Sequence, residues 1–197
     1  MKDLNFNSVI LDEFSEIESG VKSAKHPFHM FCISTIRNQY PENRNVILRS
    51  FSTSSFSFSF NTDIRSQKIN DLKSNKKVSA LFYDEKRKVQ LRVKAIAAIN
   101  YDDSISLKAW NNMHKDSRIC YGGEYSPSEK LKNYSPNLPE NHLDGLSEKL
   151  NRFAYENFSV IRLNIISIDW LKLNYLGHQR ILFEIYNNKI SACWIAP

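Results

Sequence analysis

The sequence predicts a mainly β protein, a small antiparallel barrel with peripheral helices, and three observations carry that expectation. Residues 56–60 alternate phenylalanine and serine, the period of a strand with one buried face. The chain ends as a meander: residues 171–176, a turn at Gly177-His178, residues 180–186, an Asn187-Asn188 turn and residues 190–195. Paired asparagines tolerate the positive φ of a two-residue hairpin. About eight or nine short strand-like runs are interrupted by few helical stretches, without the strict alternation of a parallel α/β sheet.

Taken in order, Ile10, Phe14, Ile17 and Val21 recur at helical spacing, so residues 9–24 form an amphipathic helix that covers one end of the sheet, within an N-terminal segment 1–25. Pro27 ends it. Residues 31–36 are β-branched and aromatic enough for a first strand, and a polar turn over 38–43 containing Pro41 follows. The strand 44–49 and the Phe/Ser strand come next, then a helix over 64–74 with Ile64, Ile69 and Leu72 inside. Residues 78–83 and 88–99 pair as strands around a tight connection at 84–87. In the second of these Val89, Leu91, Val93 and Ala95 share one face, while Gln90 and Arg92 share the other.

Asp102 or Asp103 caps a short helix through Ile105, Ala109 and Met113. Residues 121–142 hold Gly122, Gly123, Pro127, Pro136 and Pro139 with little periodicity and read as a long loop, a length typical of lids and flexible segments. A helix over 143–154, with Leu143, Leu146, Leu150 and Phe153, leads into a strand at 158–166. At 197 residues the chain suffices for one full-sized core, and a single domain over 1–197 is expected.

Composition narrows the function classes. The formal charge is +6, from 27 basic and 21 acidic residues, but the two signs alternate along the chain, which argues against nucleic acid as a partner. Cys32, Cys120 and Cys193 lie far apart without CxxC spacing, two of them among apolar residues; they imply free thiols and a reducing compartment. No apolar run reaches spanning length, and the acidic N-terminus lacks a leader pattern, so a soluble cytoplasmic protein without membrane association is expected. His26, His29, His114 and His142 have neither i,i+4 spacing nor cysteine partners, so no metal site is expected. Phosphate-loop, dinucleotide and GxSxG signatures are absent.

The stretch 44–68 organises the rest. Arg44, Val46 and Leu48 share one strand face, Asn45, Ile47 and Arg49 the other, so each face carries a cation at one end. After the Phe/Ser strand, Thr62 or Asp63 caps a helix whose first-turn N–H groups, beside Arg65, Ser66 and Lys68, form a natural anion site of a size for phosphate.

These residues carry a resemblance. Arg44-Asn45-Val46-Ile47-Leu48-Arg49 is similar to the Arg-x-Val-Leu-Leu-Lys strand of the pyridoxamine 5′-phosphate oxidase-like FMN-binding split-barrel family. Thr62-Asp63-Ile64-Arg65-Ser66-Gln67-Lys68 follows at the usual interval, then Val89-Gln90-Leu91-Arg92-Val93, then Trp170 with Arg180 ten residues on and a terminal Ala196-Pro197. The resemblance extends from about His26 to Pro197 and implies an antiparallel split barrel of Greek-key type, FMN as cofactor, and a homodimer with two FMN sites at the subunit interface. By position it assigns Arg44 and Lys68 to the flavin phosphate, with Ser66 beside them and Gln67 where the family has a second Arg, a lost charge for which Arg65 compensates. Val46, Ile47 and Leu48 would face the isoalloxazine, with Arg49 in place of the family Lys near the ring. Asn61 and Thr62 would line the ribityl chain, and Gln90, Trp170 and Arg180 take the remaining flavin contacts.

On the substrate side the resemblance offers Arg49, Ser117 and His178. The family's Tyr and Arg align with Ala109 and Met113 or, shifted, with Trp110 and His114, and Leu176 stands where an Arg belongs. The residues by themselves allow blander roles: strand-end surface charges for Arg44 and Arg49, a solvent-facing pair for Gln90 and Arg92, core packing for Trp170, a solvated turn for His178. The reading is an FMN-dependent oxidoreductase. Two alternatives stay open: a flavin-binding protein without turnover, and another planar ligand such as haem on the same scaffold.

Overall fold

A computed structural model describes residues 5–139 and 147–197 of the chain. It contains nine strands in the described residues: β1 (Met30–Arg37), β2 (Tyr40–Ile47), β3 (Ser50–Ser52), β4 (Ser57–Asp63), β5 (Lys77–Asp84), β6 (Val89–Asn100), β7 (Phe158–Lys172), β8 (Gln179–Tyr186) and β9 (Lys189–Trp194). Five helices accompany them: α1 (Phe6–Lys22), α2 (Gln67–Ser74), α3 (Ser104–Asn111), α4 (Lys115–Arg118) and α5 (Glu148–Glu156). The strands form one sheet in the order β2-β1-β5-β6-β7-β4-β3, with β8 added to β7 and β9 to β8. The pairs β1–β2, β1–β5, β3–β4, β5–β6, β7–β8 and β8–β9 are antiparallel, and this path leaves the sheet open. Contacts divide the chain into two compact units, one of Met1–Phe60, Asn75–Ala98 and Arg162–Pro197, the other of Asn61–Ser74 and Ile99–Ile161.

In the first unit, α1 starts on an Asn5 cap, three residues ahead of the expected 9–24 helix, and buries Val9, Ile10, Glu13, Phe14, Ile17 and Gly20. Glycine is required at 20 because a Cβ would stand 2.9 Å from the backbone of Phe28. The polar turn expected over 38–43 is shorter than that. Asn38 and Gln39 take positive φ and close a two-residue hairpin, so Pro41 lies within β2. β2 ends the strand path, where the missing proline N–H interrupts no ladder.

β5 and β6 alternate as expected, burying Val78, Ala80 and Phe82 on one and Val89, Leu91, Val93, Ala95 and Ala97 on the other. Phe28, Phe31, Phe58, Phe60 and Phe82 are all buried, and Phe31 stacks on Phe82 at 4.8 Å between centroids.

Two expectations for strands need correcting. Ser57 and Ser59, on the β4 face opposite Phe58 and Phe60, are buried instead of solvated: their hydroxyls bond Ser55 and Ser50, and β3, a strand the sequence reading did not separate, pairs with β4. The segments 158–166 and 171–176 are not two strands with a break. β7 runs unbroken for 15 residues, Phe158–Lys172, and ends there, with Asp169 inside it neutralised by Arg92 and Arg180.

In the second unit, Asp103 and Ser106 form a reciprocal capping box at α3, and Ser147 caps α5. Trp110, Ala154, Phe158 and Val160 make the core there, with Tyr121 and Tyr155 packed against it. No helix or strand occurs over residues 122–139, in keeping with the expected loop; the rest of that loop, 140–142 with His142, and Leu143 and Leu146 of the expected 143–154 helix lie outside the described residues. α4 and a 3-10 turn at Ile119–Tyr121 were not anticipated. All three cysteines are free, but none is fully buried: Cys32 is half-buried, and Cys120 and Cys193 are exposed.

Candidate functional site

The sequence-derived site residues fall into two groups, one in each unit. In the second unit, Thr62 and Asp63 end β4 and the chain turns through Ile64, Arg65 and Ser66 into α2. The turn is fixed from several sides. Asp63 Oδ1 accepts from the Arg65 N–H at 2.7 Å, Asp63 O accepts from the Ser66 N–H at 3.1 Å, and the Ile64 N–H donates to Asn157 O at 2.8 Å. Ser159 Oγ donates to Thr62 O at 2.9 Å.

On this frame Lys68 Nζ donates to Thr62 Oγ1 at 2.8 Å, and Thr62 Oγ1 lies 3.3 Å from Ser66 Oγ. A cation and two hydroxyls thus converge at the start of α2, where the Ile69 N–H donates to Ser66 O at 2.9 Å. Gln67 is exposed in that same turn.

Arg65 has another job than the one expected. Its guanidinium grips Asp63 through Nε and Nη2, the shortest contact 2.7 Å, and reaches Gly123 O and Glu124 O at 3.1 Å each. A fork so engaged ties the 122–139 segment to the turn and is not spare charge for a phosphate.

In the first unit, β2 presents Arg44, Val46 and Ile47 opposite Ile33, Phe31 and Met30 of β1. Arg44 Nη1 donates to Thr35 Oγ1 at 2.5 Å and Glu42 O at 2.7 Å, so the guanidinium is held along its own hairpin. The next two residues change partners: the Leu48 N–H donates to His29 O, and the Arg49 N–H to Ser59 O, each at 2.8 Å. Leu48 is buried and Arg49 exposed. Gln90 sits half-buried on β6 opposite Tyr83.

Trp170 is 3% exposed, and its indole N–H donates to Glu13 Oε1 at 3.0 Å. Glu13 also receives both Arg87 Nη groups, at 3.1 and 2.8 Å. Arg180 makes a two-point contact with Asp169 at 2.9 and 2.7 Å. Those bonds hold the Asp169 carboxyl below the usual carboxylate range against the opposing effect of burial, helped by the charges of Arg92, Arg180 and Lys94.

Of the substrate-side residues, Ser117 is half-buried in α4, while His178 is exposed in the β7–β8 turn, where its Nδ1 accepts the Asn174 N–H. Leu176 is 80% exposed. Trp110 is core, and His114 is exposed beside Asp116.

A flavin mononucleotide asks for a cation and N–H donors at its phosphate and for polar partners along a hydroxylated chain. The second unit meets both demands. Beside the Lys68–Thr62–Ser66 cluster, the buried Oδ1 of Asn61 has no hydrogen-bond partner among the described residues, an acceptor suited to a ligand hydroxyl. No group of three potential metal ligands occurs among the described residues.

Fold and cluster together give an open antiparallel barrel with a lysine and two hydroxyls gathered at the head of α2, and this arrangement can be compared with known proteins. Residues 12–100 match the model of the pyridoxamine 5′-phosphate oxidase, FMN-binding domain. The chain is similar in structure to a pyridoxamine 5′-phosphate oxidase-related, FMN-binding protein from Nostoc punctiforme, at TM-score 0.74 and 17% identity over 99% of each chain. It is also similar to PhzG from Burkholderia lata, solved with tetrahydrophenazine-1-carboxylic acid, at TM-score 0.70 and 15% identity over 100% of this chain and 95% of that one. A protein related to general stress protein 26 from Clostridium acetobutylicum aligns at TM-score 0.60 and 13% identity, over 94% and 100% of the two chains. No curated protein sequence matches the chain. The match to that FMN-binding family covers residues 12–100, and the fold along the chain is the split barrel of the similar structures. FMN is the cofactor of the matched domain.

Proposed function

We propose that this protein is an FMN-dependent oxidoreductase, a single-domain homodimer with FMN at the subunit interface, working in a reducing cytoplasmic compartment. The observation that carries the flavin assignment is the Thr62–Ser66–Lys68 cluster at the head of α2 with the partnerless Asn61 Oδ1 beside it. Lys68, Ser66 and the α2 N–H groups, with Arg44, would hold the phosphate; Asn61 and Thr62 would hold the ribityl chain. Val46, Ile47, Leu48, Arg49, Gln90, Trp170 and Arg180 are the residues proposed for the ring. When bound, FMN supplies hydride and electron transfer, while the chain's own groups orient it and tune its ring.

A second reading, flavin binding without turnover, is favoured by Leu176, an exposed aliphatic residue at the position where the resemblance expects a substrate-holding Arg. The purified protein should be yellow, release FMN on denaturation, and rebind it. An apoprotein that takes up no added FMN would sink both readings. Flavin reduction by nicotinamide cofactors, or oxygen-dependent oxidation of pyridoxine or pyridoxamine phosphate, would favour the enzyme over the binder.

Replacing Arg44 and Lys68 together by Ala should weaken FMN binding about a hundredfold or more, two charge-assisted contacts being lost, with a far smaller change in unfolding midpoint. Stoichiometric flavin in that double variant would refute the phosphate assignment.

A further inference from the structure

Arg65 stands where two parts of the second unit meet, the 63–66 turn and the segment 122–139. Toward the turn, its Nε and Nη2 hold the Asp63 carboxylate, a side chain only 8% exposed. Toward the segment, Nη2 and Nη1 donate to Gly123 O and Glu124 O. A second tie runs beside it: Asn157 accepts the Ile64 N–H on its carbonyl and donates its side-chain amide to Tyr121 O at 2.9 Å.

The segment is a closed loop with little apolar anchorage. Its ends lie so close that a Cβ on Gly123 would stand 2.3 Å from Asn137 O. The Asn137 side chain pairs with the Tyr125 backbone in both directions, accepting its N–H at 2.9 Å and donating to its carbonyl at 2.8 Å. Gly122, Gly123 and Pro139 are buried, whereas residues 128–134 are all exposed. A compact loop held by polar ties at its neck, with its body in water, opens at lower cost than a packed element.

Charge links this loop to the turn. The buried Asp63 carboxylate, next to Thr62 in the chain, opposes a dianion held by Thr62, Ser66 and Lys68, and a guanidinium fixed over Asp63 cancels that opposition. Gly123 O and Glu124 O fix the guanidinium there; an open loop releases it.

We propose that Arg65 is a positioning residue for the FMN phosphate, acting through Asp63, and that the 122–139 loop is the strap that holds it, so that loop closure and cofactor retention stabilise each other. The coupling rests on the flavin reading of the turn, and every residue in it belongs to the second unit. It is reciprocal: the factor by which the closed loop raises FMN affinity is the factor by which bound FMN favours the closed loop. Arg65 needs no contact with the cofactor to act in this way.

The test combines hydrogen–deuterium exchange with the rate of FMN release from the full-length protein. In the parent, saturation with FMN should slow exchange over 122–139 by about fivefold or more. Arg65→Gln should raise loop exchange in the FMN-free protein, abolish the FMN-dependent protection, and speed FMN release about tenfold, read as recovery of flavin fluorescence on dilution. Asn137→Gly approaches the coupling from the loop: it deletes the pairing with Tyr125, accommodates the φ of 50° at that position, and leaves the α2 turn untouched. It too should raise loop exchange and speed FMN release, and it decides the matter alone if Arg65→Gln does not fold.

Unchanged FMN release in Asn137→Gly overturns the coupling, as does FMN binding that leaves loop exchange in the parent as it was. So does slower release from Asn137→Gly, the sign expected if a freed Arg65 closed on the phosphate itself. Any of these results in a protein that takes up FMN removes the coupling and keeps the flavin reading, whereas a parent that takes up no FMN refutes both.

Discussion

Glu13 is an instructive single residue, because an acidic side chain on an amphipathic helix is ordinarily solvated and this one is 3% exposed. It is tolerated because it satisfies the Trp170 N–H and the Arg87 fork together. Glu13→Gln keeps an acceptor for the indole but leaves Arg87 short of a charge, and should cost about 2 kcal/mol. Glu13→Ala strands both partners and should cost about 3 kcal/mol or more. Urea denaturation measures both, and equal stability of the two variants would contradict the linkage. Gln67 gives a prediction of opposite sign. It is exposed in the first turn of α2 beside Lys68, so Gln67→Arg adds a cation there and should tighten FMN binding about tenfold, measurable by quenching of flavin fluorescence.

Aspartates set the acid behaviour. Burial raises the Asp84 carboxyl, but the bonds and charge of Arg87 outweigh it, and Asp103 is lowered by its cap bonds against a similar burial effect. Asp169 is lowered chiefly by Arg180. Carboxylates depressed in the folded state contribute stability above their unfolded pKa of about 3.9, and that contribution is lost as pH falls through the lower folded values. The thermal midpoint should therefore hold down to about pH 4 as far as these groups are concerned and fall below it. Asp169→Asn should make that acid fall shallower; calorimetric scans between pH 2 and 5 would reveal an unchanged slope if Asp169 were not involved.

Among the elements, the β8–β9 hairpin was the most legible. Asn187 and Asn188 both adopt positive φ, at 48° and 58°, and join the antiparallel pair Tyr186 and Lys189. Asn188→Gly relieves the left-handed strain and should raise stability by a few tenths of a kcal/mol, whereas Asn188→Val should lower it by about 1–2 kcal/mol, read from the thermal midpoint.

Elsewhere local pattern and outcome diverged for stated physical causes. Periodicity located β5 and β6 because each shows the core one face only. It misjudged the serines of β4, since a buried serine bonded to another hydroxyl and a serine in water have the same spelling. It split β7 in two, and the arginines of β6 and β8 that neutralise Asp169 within that strand lie outside any local window. The same blindness hid the task of Arg65: its chemistry suggested an anion, but its partners Asp63, Gly123 and Glu124 emerge only from the folded turn.

At the scale of the molecule, the sequence carries a broad charge excess of +6 without a basic tract. The structure places part of it at the Thr62–Ser66–Lys68 turn of the second unit and part around Asp169 in the first, where Arg92 and Arg180 meet. No helix among the described residues is long and apolar enough to cross a membrane. The FMN-binding family match was foreshadowed by the short segments beginning at Arg44, Thr62 and Val89, which lie within residues 12–100, whereas the Arg92–Asp169–Arg180 contacts were not, since they join three strands through residues that are ordinary one at a time.

The change of partner at Leu48 and Arg49 places neighbouring amides under separate guardians, His29 before β1 and Ser59 in β4. In deuterated solvent, adjacent positions on one chain would then act as independent clocks. Leu48 would time the release of the hairpin end and Arg49 that of the phenylalanine-rich strand, so a mutation that loosens one side alone should pull the two exchange rates apart.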